Sequence, residues 1–173
     1  MRILIIILLL CQQLQEMKQP RLEDYYIRPV WKGKPAELQQ FPVGLQHHNT
    51  SAKFRKALQK ELMRGPNFAD HYRIVLWLTD SACFEYAIVD LMTGKVYMPA
   101  DNVGCVGLVF QRNSRLCIVD PIDSAYYERE SGHIPDNIKT PFYVWDGDSL
   151  RQVYSTQKPL EFEYQKKLNL FYR

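Results

Sequence analysis

The sequence predicts an α+β fold: a mainly antiparallel β meander of about seven to eight strands, with one amphipathic helix, residues 51–64, packed on it. Three observations predict this. A helical period is confined to SAKFRKALQKELMR, Ser51 to Arg64; beyond Phe68 the pattern becomes short apolar runs separated by turn residues; and the links between those runs are short. Hairpin-length links favour antiparallel neighbours over crossovers.

The helix is signed at both ends. Phe54, Leu58 and Leu62 recur every four positions with Ala57 beside them, so one face is apolar. Asn49, Thr50 or Ser51 can accept the free N–H groups at its start, and Gly65 supplies a left-handed end that Pro66 prevents from continuing. Ahead of it, Gln19 to Val43 is broken by Pro20, Pro29, Pro35 and Pro42 into short extended pieces. The expected strands are Tyr72–Leu78, Phe84–Asp90, Lys95–Met98, Gly107–Arg112, Arg115–Val119, Phe142–Trp145, Leu150–Tyr154 and Leu160–Tyr164. The irregular spacing and short chain argue against a closed propeller.

A chain of 173 residues, 46% hydrophobic and 24% charged, has the material for one packed core and no low-complexity run that argues for disorder. One globular domain is expected over residues 20–173. The net charge of +3 is unevenly placed, because Met1–Pro66 holds 11 Lys/Arg against 5 Asp/Glu, and Asn67–Arg173 holds 11 against 14. No basic stripe is interleaved with stacking aromatics, so nucleic acid is not an expected partner.

Residues 1–11 read as a leader. Arg2 precedes eight Ile/Leu residues, Ile3 to Leu10, and then come Cys11 and a polar run. Eight helical residues reach about 12 Å, far short of a hydrocarbon core of about 30 Å. The order of cation, short apolar stretch and polar tail is that of an export signal. A Cys directly after the apolar stretch resembles a bacterial lipoprotein signal, which implies lipidation of Cys11 and a membrane association through that anchor alone. Leu10 departs from that pattern, where a small residue is usual.

An oxidising compartment allows one pair among Cys83, Cys105 and Cys117, so three pairings are possible. The Asn113-Ser114 turn sets Gln111 opposite Leu116, so Cys117 faces Phe110. The Met92-Thr93-Gly94 turn sets Cys83 opposite a residue near Asn102, close to Cys105. The expected disulfide is Cys83–Cys105, with Cys117 a buried thiol.

The run GPNFADHYRIVLWLTDSACFEYAIVDLMTGKVY, Gly65 to Tyr97, closely resembles a group of small exported bacterial proteins whose pattern is roughly GPNFAGHY, a strand, WGCG..C, and a strand ending IVD..TGKVY. Gly65, Pro66, Asn67, Phe68, Ala69, His71 and Tyr72 match the first block. Trp77 and Cys83 match the second, and Ile88, Val89, Asp90, Thr93, Gly94, Lys95 and Val96 the third. KGKPAEL, Lys32 to Leu38, and SRLCIVDP, Ser114 to Pro121, look like further parts of it. Here Asp70 stands for a Gly, and Leu78-Thr79-Asp80 for Gly-Cys-Gly; losing that Cys removes a local partner for Cys83. The resemblance implies an exported protein and brings no activity with it.

Two functional classes compete. The first is a cysteine hydrolase with Cys83 as nucleophile, His71 as base and Asp70, Asp80 or Asp90 orienting the imidazole. It requires a free Cys83 near His71, whereas export favours a bridged one. His47-His48 is not spaced as a metal pair, H-E-x-x-H and C-x-x-C are absent, and no nucleotide or G-x-S-x-G motif occurs, so no cofactor or metal is expected. Glu128 with Glu130 and Glu161 with Glu163 read as solvated faces. The second class is a protein-binding module. Asp120 to Pro141 is a long connection carrying Tyr126, Tyr127, Arg129 and His133, residue types that anchor interfaces. An inhibitor or immunity protein guarding the envelope against a toxin or hydrolase suits this class, with no catalytic residues. The corner at Asn67 and His71 is expected to be structural, both side chains bonding to backbone.

Overall fold

Alternating apolar residues in the strands after Phe68 bury two faces at once, and two antiparallel sheets result. The computed structural model describes residues 18–39, 58–78, 83–100, 103–122, 124–160 and 168–170. The leader with Cys11, His47-His48, the first half of the expected helix, Asp80, and the expected strand Leu160–Tyr164 beyond Leu160 lie outside the described residues. So does the side chain of Tyr126.

The elements run as a 3-10 turn (Leu22–Tyr25), α1 (58–62), β1 (Tyr72–Leu78), β2 (Phe84–Asp90), β3 (Val96–Tyr97), β4 (Val103–Gly104), β5 (Gly107–Val109) and β6 (Leu116–Val119). α2 (Ser124–Glu130), β7 (Thr140–Trp145), β8 (Leu150–Thr156) and β9 (Leu168–Leu170) complete the described chain. In the first sheet β2 is central, pairing with β1 on one side and with β3 and β4 on the other; the second has the order β8-β7-β6-β5-β9. All pairings are antiparallel, as the short links require.

The core follows strand alternation. Ile74, Phe84, Tyr86 and Ile88 on one face of the first sheet meet Leu108, Phe110, Cys117, Val119 and Trp145 on the second. The opposite face of the first sheet, with Val75, Ala87 and Val89, is covered by Leu58 and Leu62 of α1. Each of those leucines stabilises the packing by about 2 kcal/mol. The far face of the second sheet, with Val109, Leu116, Ile118, Phe142 and Val144, is capped by Leu22 from the N-terminal segment.

β1 and β2 have the bounds expected, while β3, β5 and β6 are shorter and β7 and β8 longer. The β4 and β9 pairings and α2 were not expected. α2 is the larger departure: Pro121, Gly132 and Pro135 frame a stretch that reads as loop, yet between them SAYYERE is made largely of residues that tolerate a helix. The Phe110-to-Cys117 register is the expected one, since Leu108 pairs Val119 and Val109 pairs Ile118.

Candidate functional site

The corner after α1 is built from backbone that ordinary residues avoid. Gly65 has φ +76° and its N–H bonds the Leu62 carbonyl, ending the helix as expected. Asn67 brackets the first strand: its Nδ2 donates to the Ile74 carbonyl at 3.0 Å and its Oδ1 accepts the Ile74 N–H at 2.8 Å. Phe68, fully buried, exchanges backbone bonds with Tyr72. Ala69 and Asp70 then turn through φ +39° and +71°.

Asp70 is the hinge pin of this corner. Its Oδ1 accepts the N–H groups of Val30 at 2.7 Å and Trp31 at 2.9 Å, so the N-terminal segment is fastened to the sheet. Arg112 closes the ring by donating to the carbonyls of Asp70 at 3.1 Å and Trp31 at 2.5 Å. Burial works to raise the Asp70 pKa, but the Trp31 and Val30 amides and the His71 imidazole together carry it below the ordinary value.

His71 departs from expectation. Among the described residues its imidazole meets carboxylates and no backbone group: Nδ1 lies 3.4 Å from Asp70 Oδ2 and Nε2 3.6 Å from Asp90 Oδ1, with the ring 4.2 Å from that of Tyr72. Two flanking carboxylates draw the ring away from the main chain. Asp90 is itself committed to a turn, accepting from the Met92 N–H at 2.8 Å and the Thr93 hydroxyl at 2.7 Å. Gly94, at φ +76°, completes that turn and packs against the chain at Glu37, where a Cβ would stand 1.8 Å from the carbonyl oxygen. Trp77 donates its indole N–H across the hairpin to Glu85 at 3.1 Å.

The hydrolase constellation of Cys83, His71 and Asp90 is therefore not assembled. His71 and Asp90 meet, but Cys83 lies at the far end of the β1–β2 hairpin, whose pairs run from Tyr72↔Asp90 to Leu78↔Phe84. At about 3.3 Å per residue that separation is roughly 25 Å. Cys83 is moreover bridged to Cys105, as the hairpin argument expects. The expected register holds at Val89↔Val96 and Ile88↔Tyr97, then advances by three residues at Glu85↔Val103 and Phe84↔Gly104, which aligns the two cysteines. Asp120, overlooked in the sequence, secures this loop: its Oδ1 accepts from the Cys105 N–H at 2.8 Å, Val106 at 2.8 Å and Gly107 at 3.3 Å. Cys117 is buried without a bridge, and burial pushes its thiol pKa up to about 12.

A second feature was also overlooked. Between the sheets opens a cleft of about 180 Å³ lined by Tyr86, Tyr97, Tyr143 and Trp145, with Met98, Pro99, Ala100 and Leu150 beside them and Asp148 and Ser149 from the β7–β8 turn. Trp145 is its hub, 5.2 Å from the ring centroids of both Tyr72 and Tyr97 in edge-to-face contact. The Trp145 indole N–H is buried and makes no hydrogen bond among the described residues. Burial pushes the Tyr72 pKa up; the Trp145 indole works against this, while the negative charges of Asp90 and Asp148 add to it. The sequence signal was the WDGDS turn, which places an aromatic and a carboxylate three residues apart across a hairpin end.

The expected binding loop is partly helical. Tyr127, Arg129 and the backbone of Tyr126 belong to α2, and His133 to the turn beyond it. Arg129 is exposed and pairs with Glu130 at 3.1 Å; the exposed His133 donates Nδ1–H to the Ser131 carbonyl at 3.1 Å. Among the described residues no cluster of His, Cys, Asp and Glu is arranged to hold a metal ion, and no helix is long and apolar enough to cross a membrane. Compared with family models, curated proteins and solved structures, the chain finds no match. The disulfide fits an oxidising, extracytoplasmic compartment.

Proposed function

We propose that this chain is an exported envelope protein that acts by binding another protein, in the manner of an inhibitor or immunity protein directed at a toxin or hydrolase. The observation that carries the reading is the segment from Ser124 to His133: a short helix and turn that present Arg129 and His133 to solvent. Arginine and aromatic side chains on such a framework are the usual anchors of interfaces. Two further features support it. The leader and the Cys83–Cys105 bridge suit an envelope location, with Cys11 a candidate lipid anchor in the periplasm or at the outer membrane. Bridging also withdraws Cys83 from nucleophilic chemistry.

The test is a pull-down from envelope extracts and secreted toxin pools with the tagged chain. The expected result is a stoichiometric protein partner, lost or weakened at least tenfold in Arg129→Ala with His133→Ala. Turnover of a hydrolase substrate that His71→Ala abolishes, with no partner captured, reverses the reading.

A further inference from the structure

The cleft between the sheets is separate from α2, and the partner-binding reading makes no use of it. Its chemistry is particular. Four aromatic side chains and four small or apolar ones line it, and Asp148 is the one acidic or basic side chain among the residues that line it. Aromatic rings present negative faces to whatever lies over them, and a carboxylate beside them adds to the same sign. One of these rings already holds a cation: Lys95 Nζ stands 4.5 Å from the Tyr97 centroid, and Lys95 itself is not among the lining residues. The volume of about 180 Å³ is a little above the roughly 150 Å³ of an apolar cavity that takes benzene, so the occupant is a group of a few heavy atoms.

From this geometry we infer that the cleft binds a small free organic cation bearing a trimethylammonium-type head. Such a group is apolar on its surface and positively charged throughout. It packs on the partly exposed rings of Tyr97 and Tyr143, over a floor made by the buried Tyr86 and Trp145, without needing hydrogen bonds, and it sets its charge near Asp148. A primary ammonium would have to shed a tightly held water shell to enter; a methylated one has little to shed.

The probes are choline, its neutral carbon isostere, and a neutral hexose, each titrated against the full chain and read from the indole N–H cross-peak of Trp145. The expected result is a saturable shift with choline and at least tenfold weaker binding of the isostere. Tyr97→Leu, which keeps apolar volume and removes the ring, is expected to weaken choline about tenfold. Asp148→Asn, on an exposed turn where folding is not at stake, is expected to weaken it about two- to fivefold, with the loss shrinking at high salt. Equal binding of choline and its isostere overturns the inference, because the cleft would then read shape alone. Saturation by the hexose, or no shift with choline, overturns it as well. Binding confined to phosphatidylcholine vesicles, with free choline inert, overturns the assignment to a free small molecule.

Discussion

Asp70 holds Trp31 across a gap of 39 residues: one carboxylate oxygen accepts the Trp31 N–H at 2.9 Å and the neighbouring Val30 N–H at 2.7 Å. The residue sits at φ +71°, where Gly is the comfortable choice. Asp accepts some backbone strain there and in exchange supplies an acceptor that Gly lacks.

This exchange predicts an ordering of substitutions. Asp70→Ala keeps the strain and loses the acceptor, so it is expected to cost about 2–4 kcal/mol; Asp70→Gly relieves the strain and costs about 1–2 kcal/mol. Asp70→Asn, which tolerates the left-handed region and keeps an acceptor oxygen, is expected to cost least. The pH dependence separates the last from the wild type. Because the folded-state pKa of Asp70 lies below its ordinary value, its stabilisation is complete above about pH 3.9 and is lost as pH falls through the folded pKa. Thermal melts between about pH 5 and pH 2 are expected to fall less steeply for Asp70→Asn. Identical slopes would remove the carboxylate from the account.

Which parts of this were legible in the sequence follows from how local each cause is. Gly65 and Pro66 end a helix through their own backbone preferences, and β1 and β2 follow from seven-residue apolar runs, so their bounds were readable. The Cys83–Cys105 pair was readable because the turn brings Cys83 close to Cys105, whereas the three-residue advance in register that aligns them was not. The roles of Asp70 and Asp120 were not, since their partners lie 39 or more and 13 to 15 residues away in sequence and no periodicity marks them. The cleft was invisible for the same reason: Tyr97 and Trp145 belong to different sheets and meet only when those sheets stack.

Gly94 gives a second prediction. A methyl group there would stand 1.8 Å from the Glu37 carbonyl oxygen, and φ is +76°. Around it Ala36 N–H bonds Leu91 O, and Gln39 N–H bonds Gly94 O, both at 2.9 Å. Gly94→Ala is therefore expected to cost about 2–3 kcal/mol and to release the 36–39 segment. Hydrogen exchange at Ala36 and Gln39 should accelerate more than exchange in β6. Uniform acceleration would mean that the segment is not a separate clasp.

The cysteines give a third. The Cys83–Cys105 loop spans 22 residues, for which chain entropy assigns about 3 kcal/mol of stabilisation. Cys83→Ala with Cys105→Ala is expected to lower stability by about that amount. Cys117, with its thiol pKa near 12 and no exposure, should resist alkylation in the native chain and react once on unfolding. In a Cys11→Ser background, one thiol titrating only in denaturant fits both expectations. A fast native thiol would show that Cys83 or Cys105 is free.

Arg73 supplies the last prediction. Although 7% exposed, it donates Nη1 to the Gly65 carbonyl at 2.5 Å and Nη2 to Glu61 at 2.6 Å, so one guanidinium caps the end of α1 and pairs with its side chain. Its Nε has no partner among the described residues. Desolvating this cation is offset only while both contacts persist, so removing one partner should hurt more than removing the pair. Arg73→Ala leaves a helix-end carbonyl unmet and leaves Glu61 with only the exposed Arg64, 2.8 Å away, as its ion-pair partner, at an expected cost of about 2–3 kcal/mol. Arg73→Met combined with Glu61→Leu fills the same space with apolar atoms and should recover most of that loss. Urea midpoints at constant m-value decide between the two accounts. If the double substitution is as unstable as Arg73→Ala, the charge is irreplaceable, and the link between α1 and β1 is electrostatic instead of a matter of filled volume.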